Sequence, residues 1–211
     1  LAILTLAEPR RTVGSAMTEA NPAARRGSRS TEREGLTMNA MRALDLDQIT
    51  AIIATATKPI NVLWQTDDSI AFVARGREGR SEFHVDPSDE VMYMIKGDMN
   101  LHYRTDDGVE KVAVIREGEI LHCPAGTPHS PRFAPDAYVL VLERKRRPAE
   151  QDRFLWYCPA CDAQLYEAVR QVGDWRDDPV SEVYADFYGA ESHRTCGKCG
   201  HVTRWKPSVE Q

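Results

Sequence analysis

The stretch "FHVDPSDEVMYMIKG", residues 83–97, decides how the chain is read. It sets His84, Asp86, Asp89 and Glu90 just ahead of an apolar run that closes at Gly97. A metal needs ligands that converge in space, and neighbouring strands of a β-structure deliver them, because residues two apart on a strand face the same way. The surroundings support strands. From about residue 62 to 147, short apolar runs alternate with turn signals: "SIAFVARG", "EVMYMIKGDMNLHYRTDDG", "VEKVAVIREGEILHCPAG" and "YVLVLERKR". Asp107-Gly108 lies between two such runs and predicts a hairpin turn. Strands at this density, with Gly and Pro between them, predict an antiparallel sandwich or barrel. Ahead of them, "ALDLDQITAIIATA" at 43–56 carries apolar residues at helical spacing and predicts a short helix.

The totals fit an ordinary globular chain. Of 211 residues, 42% are hydrophobic and 28% charged, enough for one good-sized core and a small appendage. A net charge of −5 offers no domain-wide basic field, which argues against nucleic acid as a partner. No apolar run approaches the ~20 residues that span a bilayer, so no membrane partner is expected. Residues 1–40 are rich in Arg, Ser, Ala, Thr and Glu and read as a disordered extension. The chain opens on Leu1, with Met17, Met38 and Met41 following, so a working start near Met38 is expected. "LAILTLA" is too short and lacks the basic flank of a signal peptide. Residues 41–148 are expected to form the barrel domain, and 149–211 a C-terminal segment of different character.

A second pattern complements the first. Gly118, Pro124, Gly126 and His129 read G-x5-P-x-G-x2-H: a glycine turning into a strand, a tight bend, and a histidine at the start of the next strand. Together the two patterns resemble the paired motifs of the cupins, which implies a double-stranded β-helix, or jelly-roll barrel. Where many cupins have a second histidine, this chain has Asp86. What remains is His84, Glu90 and His129. Two histidines and one carboxylate are the facial set of non-haem Fe(II) oxygenases, with about three of six octahedral positions left open for a bidentate substrate and O₂. His102, in "NLHYR", and His122, in "ILHCP", are expected to be packing or surface groups. Asp86 and Asp89 read as turn and rim carboxylates, and Cys123 as a buried core thiol.

A closer resemblance follows. "RSEFHVDPSDEVMYMIKGDMNL", "REGEILHCPAGTPHSPRFA", "LVLERKR" and "WYCPAC", in this order, resemble the bacterial 3-hydroxyanthranilate 3,4-dioxygenases over about residues 60–205. The resemblance implies a cytoplasmic, homodimeric Fe(II) enzyme. It opens an aminophenol ring with O₂ to an aminocarboxymuconate semialdehyde, which closes unaided to quinolinic acid, as in the kynurenine pathway. By position, His84, Glu90 and His129 match the iron ligands. Arg80 matches an arginine near substrate and O₂, and Glu143 a carboxylate that hydrogen-bonds the aminophenol and accepts its proton. Asn61, in a somewhat shortened loop, matches a substrate contact. One departure concerns the substrate carboxylate. The family reads "HSPQR" where this chain reads "HSPRF", so Arg132 stands one residue early and Phe133 takes the arginine's place. On a strand, one residue swaps faces. Either Arg132 still grips the carboxylate, or that arginine is lost or moved. Glu82 also stands where the family has Asp. Another ortho-substituted phenol, such as a nitro- or amino-hydroxybenzoate, therefore stays open as substrate. Outside the enzymes, the rival reading is a metal-dependent small-molecule-binding cupin without turnover.

The C-terminal segment carries Cys158, Cys161, Cys196 and Cys199 as two C-x-x-C pairs. Paired knuckles in a reducing compartment predict a tetrahedral four-thiolate metal site, with Zn²⁺ or iron as occupant, rather than two disulfides. Gly197 and Gly200 are expected to permit the second tight turn, and His201 to be a neighbour only. The family resemblance implies rubredoxin-like iron.

Overall fold

The computed structural model describes residues 41–77 and 79–204. The extension expected over 1–40 lies outside them. The elements are α1 (Leu46–Thr55), β1 (Ile60–Gln65), β2 (Ser69–Arg75), β3 (Phe83–Val85), β4 (Glu90–Lys96), β5 (Met99–Arg104), β6 (Glu110–Ile115), β7 (Ile120–Cys123), β8 (His129–Phe133), β9 (Tyr138–Arg144), β10 (Asp152–Tyr157), β11 (Gln164–Arg170), α2 (Pro179–Gly189) and α3 (Glu191–Arg194). A 3-10 turn, Trp175–Asp177, precedes α2. All strand pairings are antiparallel. They form a five-stranded sheet ordered β1-β2-β9-β4-β7 and a six-stranded sheet ordered β11-β10-β3-β8-β5-β6. This is the antiparallel double-sheet architecture expected from the strand pattern, and it is not closed into a barrel.

Alternation sets the two faces of each strand. In β4, Glu90, Met92 and Met94 are buried while their neighbours are only half-buried. These inner positions meet Phe72 and Val141 from the same sheet, and Met99, Leu101 and Phe154 from the other, in one continuous core. The opposite face of the five-stranded sheet is covered by α1, where Ile53 packs with Val73 and Tyr138. The helix begins where Asp45 accepts hydrogen bonds from the backbone N–H of Asp47 and Gln48, an N-cap that satisfies two otherwise orphaned donors. The expected hairpin joins β5 to β6, with Gly108 at φ +81, a conformation that costs glycine little.

Beyond Pro148 the chain continues the second sheet. β10 pairs with β3 and β11 with β10, so the segment contributes two strands to the second sheet. α2 then lays Val180, Val183 and Phe187 into the same core, with Phe187 stacked on Trp156 at 4.5 Å between ring centroids. Among the described residues, no helix is long and apolar enough to cross a membrane.

Candidate active site

Three strands deliver the triad, two neighbours in the six-stranded sheet and one from the five-stranded sheet facing them. His84 is the middle residue of β3, Glu90 opens β4 and His129 opens β8, and His84 and His129 are direct Cα partners across the β3–β8 pair. Their ligand atoms lie within 4.8 Å of one another, and all three side chains are buried. The outward nitrogen of each ring is already engaged. His84 Nε2 lies 2.8 Å from Asp152 Oδ1, and His129 Nδ1 lies 2.9 Å from the Thr127 carbonyl. Both acceptors lack a proton to give, so each ring donates outward and turns a lone pair inward, toward Glu90. Glu90 Oε1 is buried and accepts no hydrogen bond, although His129 Nε2 is 3.0 Å away, because the two are misaligned for one. Three inward lone pairs with no aligned proton among them fit a cation. Burial works against the Glu90 charge, yet the His129 and His84 rings, when protonated, and Arg146 hold its pKa down at about 2.

Behind the triad lies a buried charge cluster that sequence motifs did not reveal. Arg146 approaches Asp86 at 2.7 Å, Asp152 at 2.6 Å and Glu143 at 3.5 Å, with every one of these side chains 3% exposed or less. Asp86, expected at the rim, is a buried member of this cluster; it also accepts from Ser88. Asp89 behaves as expected, capping Ala125 from an exposed position. Glu143 is the direct partner of Glu90 across β4 and β9. Burial pushes its pKa well above the ordinary carboxylate range. Arg146 opposes that shift, and Glu90 and Asp86 reinforce it. Trp175 Nε1–H donates to Glu143 Oε1, and the indole meets His84 edge-on at 5.6 Å. Trp175 and Asp152 lie outside every quoted motif, and Arg146 closes "LVLERKR" without a role having been assigned to it. Only the pairing of β10 with β3 could have pointed to Asp152.

The remaining expected site residues divide. Cys123 is buried, 3.5 Å from His129 Nδ1. His102 pairs with Glu110 and His122 with Asp89, both away from the triad. Arg80 donates from Nε to the fully buried Glu82 at 2.6 Å, and Glu82 also accepts from Tyr184. Arg80 further lines a cavity of about 600 Å³ with Arg77, Val180, Tyr184 and Tyr188. Asn61 alternates with Ile60 and Val62, which both face the core, so its side chain is set toward the α1 face instead. Arg132 is likewise off the inner face. Its neighbours are Ser130, Glu110 and the Phe83 ring, while Phe133 packs against the core. His129 and Phe133 are four residues apart and share the inward face, which excludes Arg132 from it.

The four cysteines converge as expected. Cys158 Sγ is 3.6 Å from Cys199 Sγ, and Cys161 Sγ 3.5 Å from Cys196 Sγ. The two knuckles are built alike: the N–H of Asp162 reaches the Cys158 carbonyl, and that of Gly200 the Cys196 carbonyl, each at 2.8 Å. The residue after each second cysteine is left-handed, Gly200 at φ +74 and Asp162 at φ +58. Gly197, expected to share that task, does not have a positive φ; Asp162 takes the turn in the other knuckle.

Comparison with known proteins settles the family. The family model for 3-hydroxyanthranilic acid dioxygenase matches residues 38–188. The chain belongs to this family. Relatives named 3-hydroxyanthranilate 3,4-dioxygenase include one from Bacillus cereus, 37% identical over 68% of this chain and 81% of that protein. Another, from Xanthomonas campestris pv. campestris, is 39% identical over 65% of this chain and 77% of that protein. Among solved structures, protein NMB1881 from Neisseria meningitidis covers 49% of this family member and 100% of itself, at 23% identity and a TM-score of 0.41.

Proposed function

We propose that the chain is a ring-opening dioxygenase for 3-hydroxyanthranilate or a close aminohydroxybenzoate, with Fe(II) held by His84, Glu90 and His129. The observation that carries this is the triad itself: three buried lone pairs, oriented by Asp152 and Thr127, with a proton-accepting carboxylate alongside. A ferrous ion there would supply Lewis acidity toward a phenol and the redox chemistry of O₂ activation. The protein supplies the rest. Asp152 and the Thr127 carbonyl fix both imidazoles. Glu143, made more basic by burial, takes a proton from the phenol or amine. Arg146 keeps the three carboxylates around it in place without itself reaching inward. The four-thiolate site, closed by both knuckles, is assigned a structural iron or zinc. Homodimerisation and a cytoplasmic location are proposed on the family resemblance.

A second substrate class is favoured by one observation. Phe133, not an arginine, faces inward along β8. An ortho-aminophenol or nitrophenol that presents no carboxylate to β8 fits this wall. The test is anaerobic Fe(II) loading, then addition of 3-hydroxyanthranilate and air. Growth of the semialdehyde absorbance with O₂ uptake is expected. Failure to consume O₂ with every aminohydroxybenzoate and nitrophenol tried would overturn the reading.

A further inference from the structure

The contacts of Trp175 are unusual for a core residue. The indole belongs to a three-residue 3-10 turn, not to either sheet, yet it is 5% exposed and reaches the middle of the site. It touches two of the site's residues and the core at once. Its N–H donates to Glu143 Oε1, its ring meets the His84 ring at 88° with 5.6 Å between centroids, and it lies 5.6 Å from Phe72. The turn is tethered from several sides. Asp174 accepts from the Arg176 N–H, Gln65 Nε2 donates to the Gly173 carbonyl at 2.9 Å, and Lys58 Nζ donates to the Arg176 carbonyl. A polar N–H buried this deeply needs its acceptor, because an unpaired buried donor keeps the full penalty of its lost hydration. The acceptor it has is the base of the proposed reaction.

Glu143 has two other partners: Arg146, at the long distance of 3.5 Å from Oε2, and Asp86, which shares a hydrogen bond with the carboxyl. The indole N–H holds Oε1. A carboxylate that must meet a substrate proton at hydrogen-bond distance gains from a fixed rotamer. With four lone-pair positions, it can accept from an indole on one oxygen and still receive a proton. We propose that Trp175 is a positioning residue for the ring-opening reaction: its indole N–H holds Glu143 in the orientation from which that carboxylate accepts the substrate proton. The proposal rests on the dioxygenase reading above.

The test is a double-mutant cycle on the Fe(II)-loaded enzyme: wild type, Trp175→Phe, Glu143→Gln and the double variant. For each, kcat and KM are measured, with anaerobic substrate affinity read from quenching of the intrinsic tryptophan fluorescence. Phe keeps an aromatic ring and loses the donor. Trp175→Phe should lower kcat by about 10–100-fold, the range for a hydrogen bond to a charged group, with anaerobic affinity changed less than about 3-fold. In the Glu143→Gln background the same change should cost nothing further, because the group acted upon is gone. Trp175→His, a smaller ring that keeps a donor, should recover kcat toward wild type, and it also serves if the Phe variant folds poorly. An unchanged kcat in Trp175→Phe, equal losses in both backgrounds, or a His variant as slow as the Phe variant would overturn the proposal while leaving the dioxygenase reading intact. A wild type inactive toward every substrate tried would remove both.

Discussion

Replacing Arg146 by Met tests the buried charge cluster most directly. Met keeps most of the aliphatic stem, so little cavity is made, and the main loss is the guanidinium. That group is the shared cation for Asp86, Asp152 and Glu143, at 2.7, 2.6 and 3.5 Å. All four side chains are essentially inaccessible, so water cannot replace it. Removing one partner of such a pair costs about 3–5 kcal/mol. At roughly 2–4 °C per kcal/mol for a chain of this size, Tm should fall by about 6–20 °C. The loss should depend on pH. Burial raises the Asp152 pKa, but hydrogen bonds from His84 and Arg146 outweigh it and leave that carboxyl below its ordinary value. A depressed folded pKa stabilises the protein above the unfolded value of 3.8, and that stability fades as pH falls toward the folded pKa. Without Arg146, all three carboxyls titrate higher and are protonated sooner on acidification. The gap between variant and wild type should therefore narrow from pH 7 to pH 5. Urea unfolding of metal-free protein at both pH values measures it. A gap under about 1 kcal/mol at pH 7, or one that widens on acidification, would refute the cluster's role.

Four further expectations concern the metals and the substrate. Asp152→Asn should weaken Fe(II) affinity by about 10–100-fold, the usual loss for a partner that orients a histidine ligand, with the four-thiolate metal retained; metal analysis after dialysis checks both. Cys158→Ser combined with Cys196→Ser should remove one metal per chain and lower Tm, with kcat per bound catalytic iron within about 2-fold of wild type in the folded fraction. Arg132→Ala should leave KM for 3-hydroxyanthranilate within about 2-fold, since its side chain faces away from the core, whereas a rise of 10-fold or more would place it in the site. Phe133→Arg should lower that KM if the ring carboxylate meets β8; an unchanged value would point the carboxylate elsewhere.

The triad was legible because each ligand sits in a short, local pattern whose spacing is fixed by strand and turn geometry. The same is true of the knuckles, where four residues suffice. The inward face at Phe133 was also readable, since β-alternation from His129 decides it once the strand is granted. Asp86 misled because its partner Arg146 is sixty residues on and arrives only in the turn that leads from β9 into β10, the strand that pairs with β3. Asp152 and Trp175 left no trace for a similar reason. One is placed by strand pairing across 68 residues, the other by a turn whose sequence, "GDWRDD", looks like any polar loop. The change in composition at Pro148 marks the approach of the cysteine knuckles, while the second sheet runs on through β10 and β11.

The pairing of β10 changes what a minimal version of this enzyme could be. β3, which carries His84, is three residues long and has a single Cα partner in β8 but three in β10. β10 ends at Tyr157, and Cys158 follows at once. The first thiolate thus follows directly on the strand that flanks His84. A gene trimmed to its conspicuous motifs, ending at Pro148, would retain every iron ligand and lose the support of one. The two metals would then be separable in chemistry but not in inheritance: recombination that swaps the tail also replaces the neighbour of a catalytic histidine.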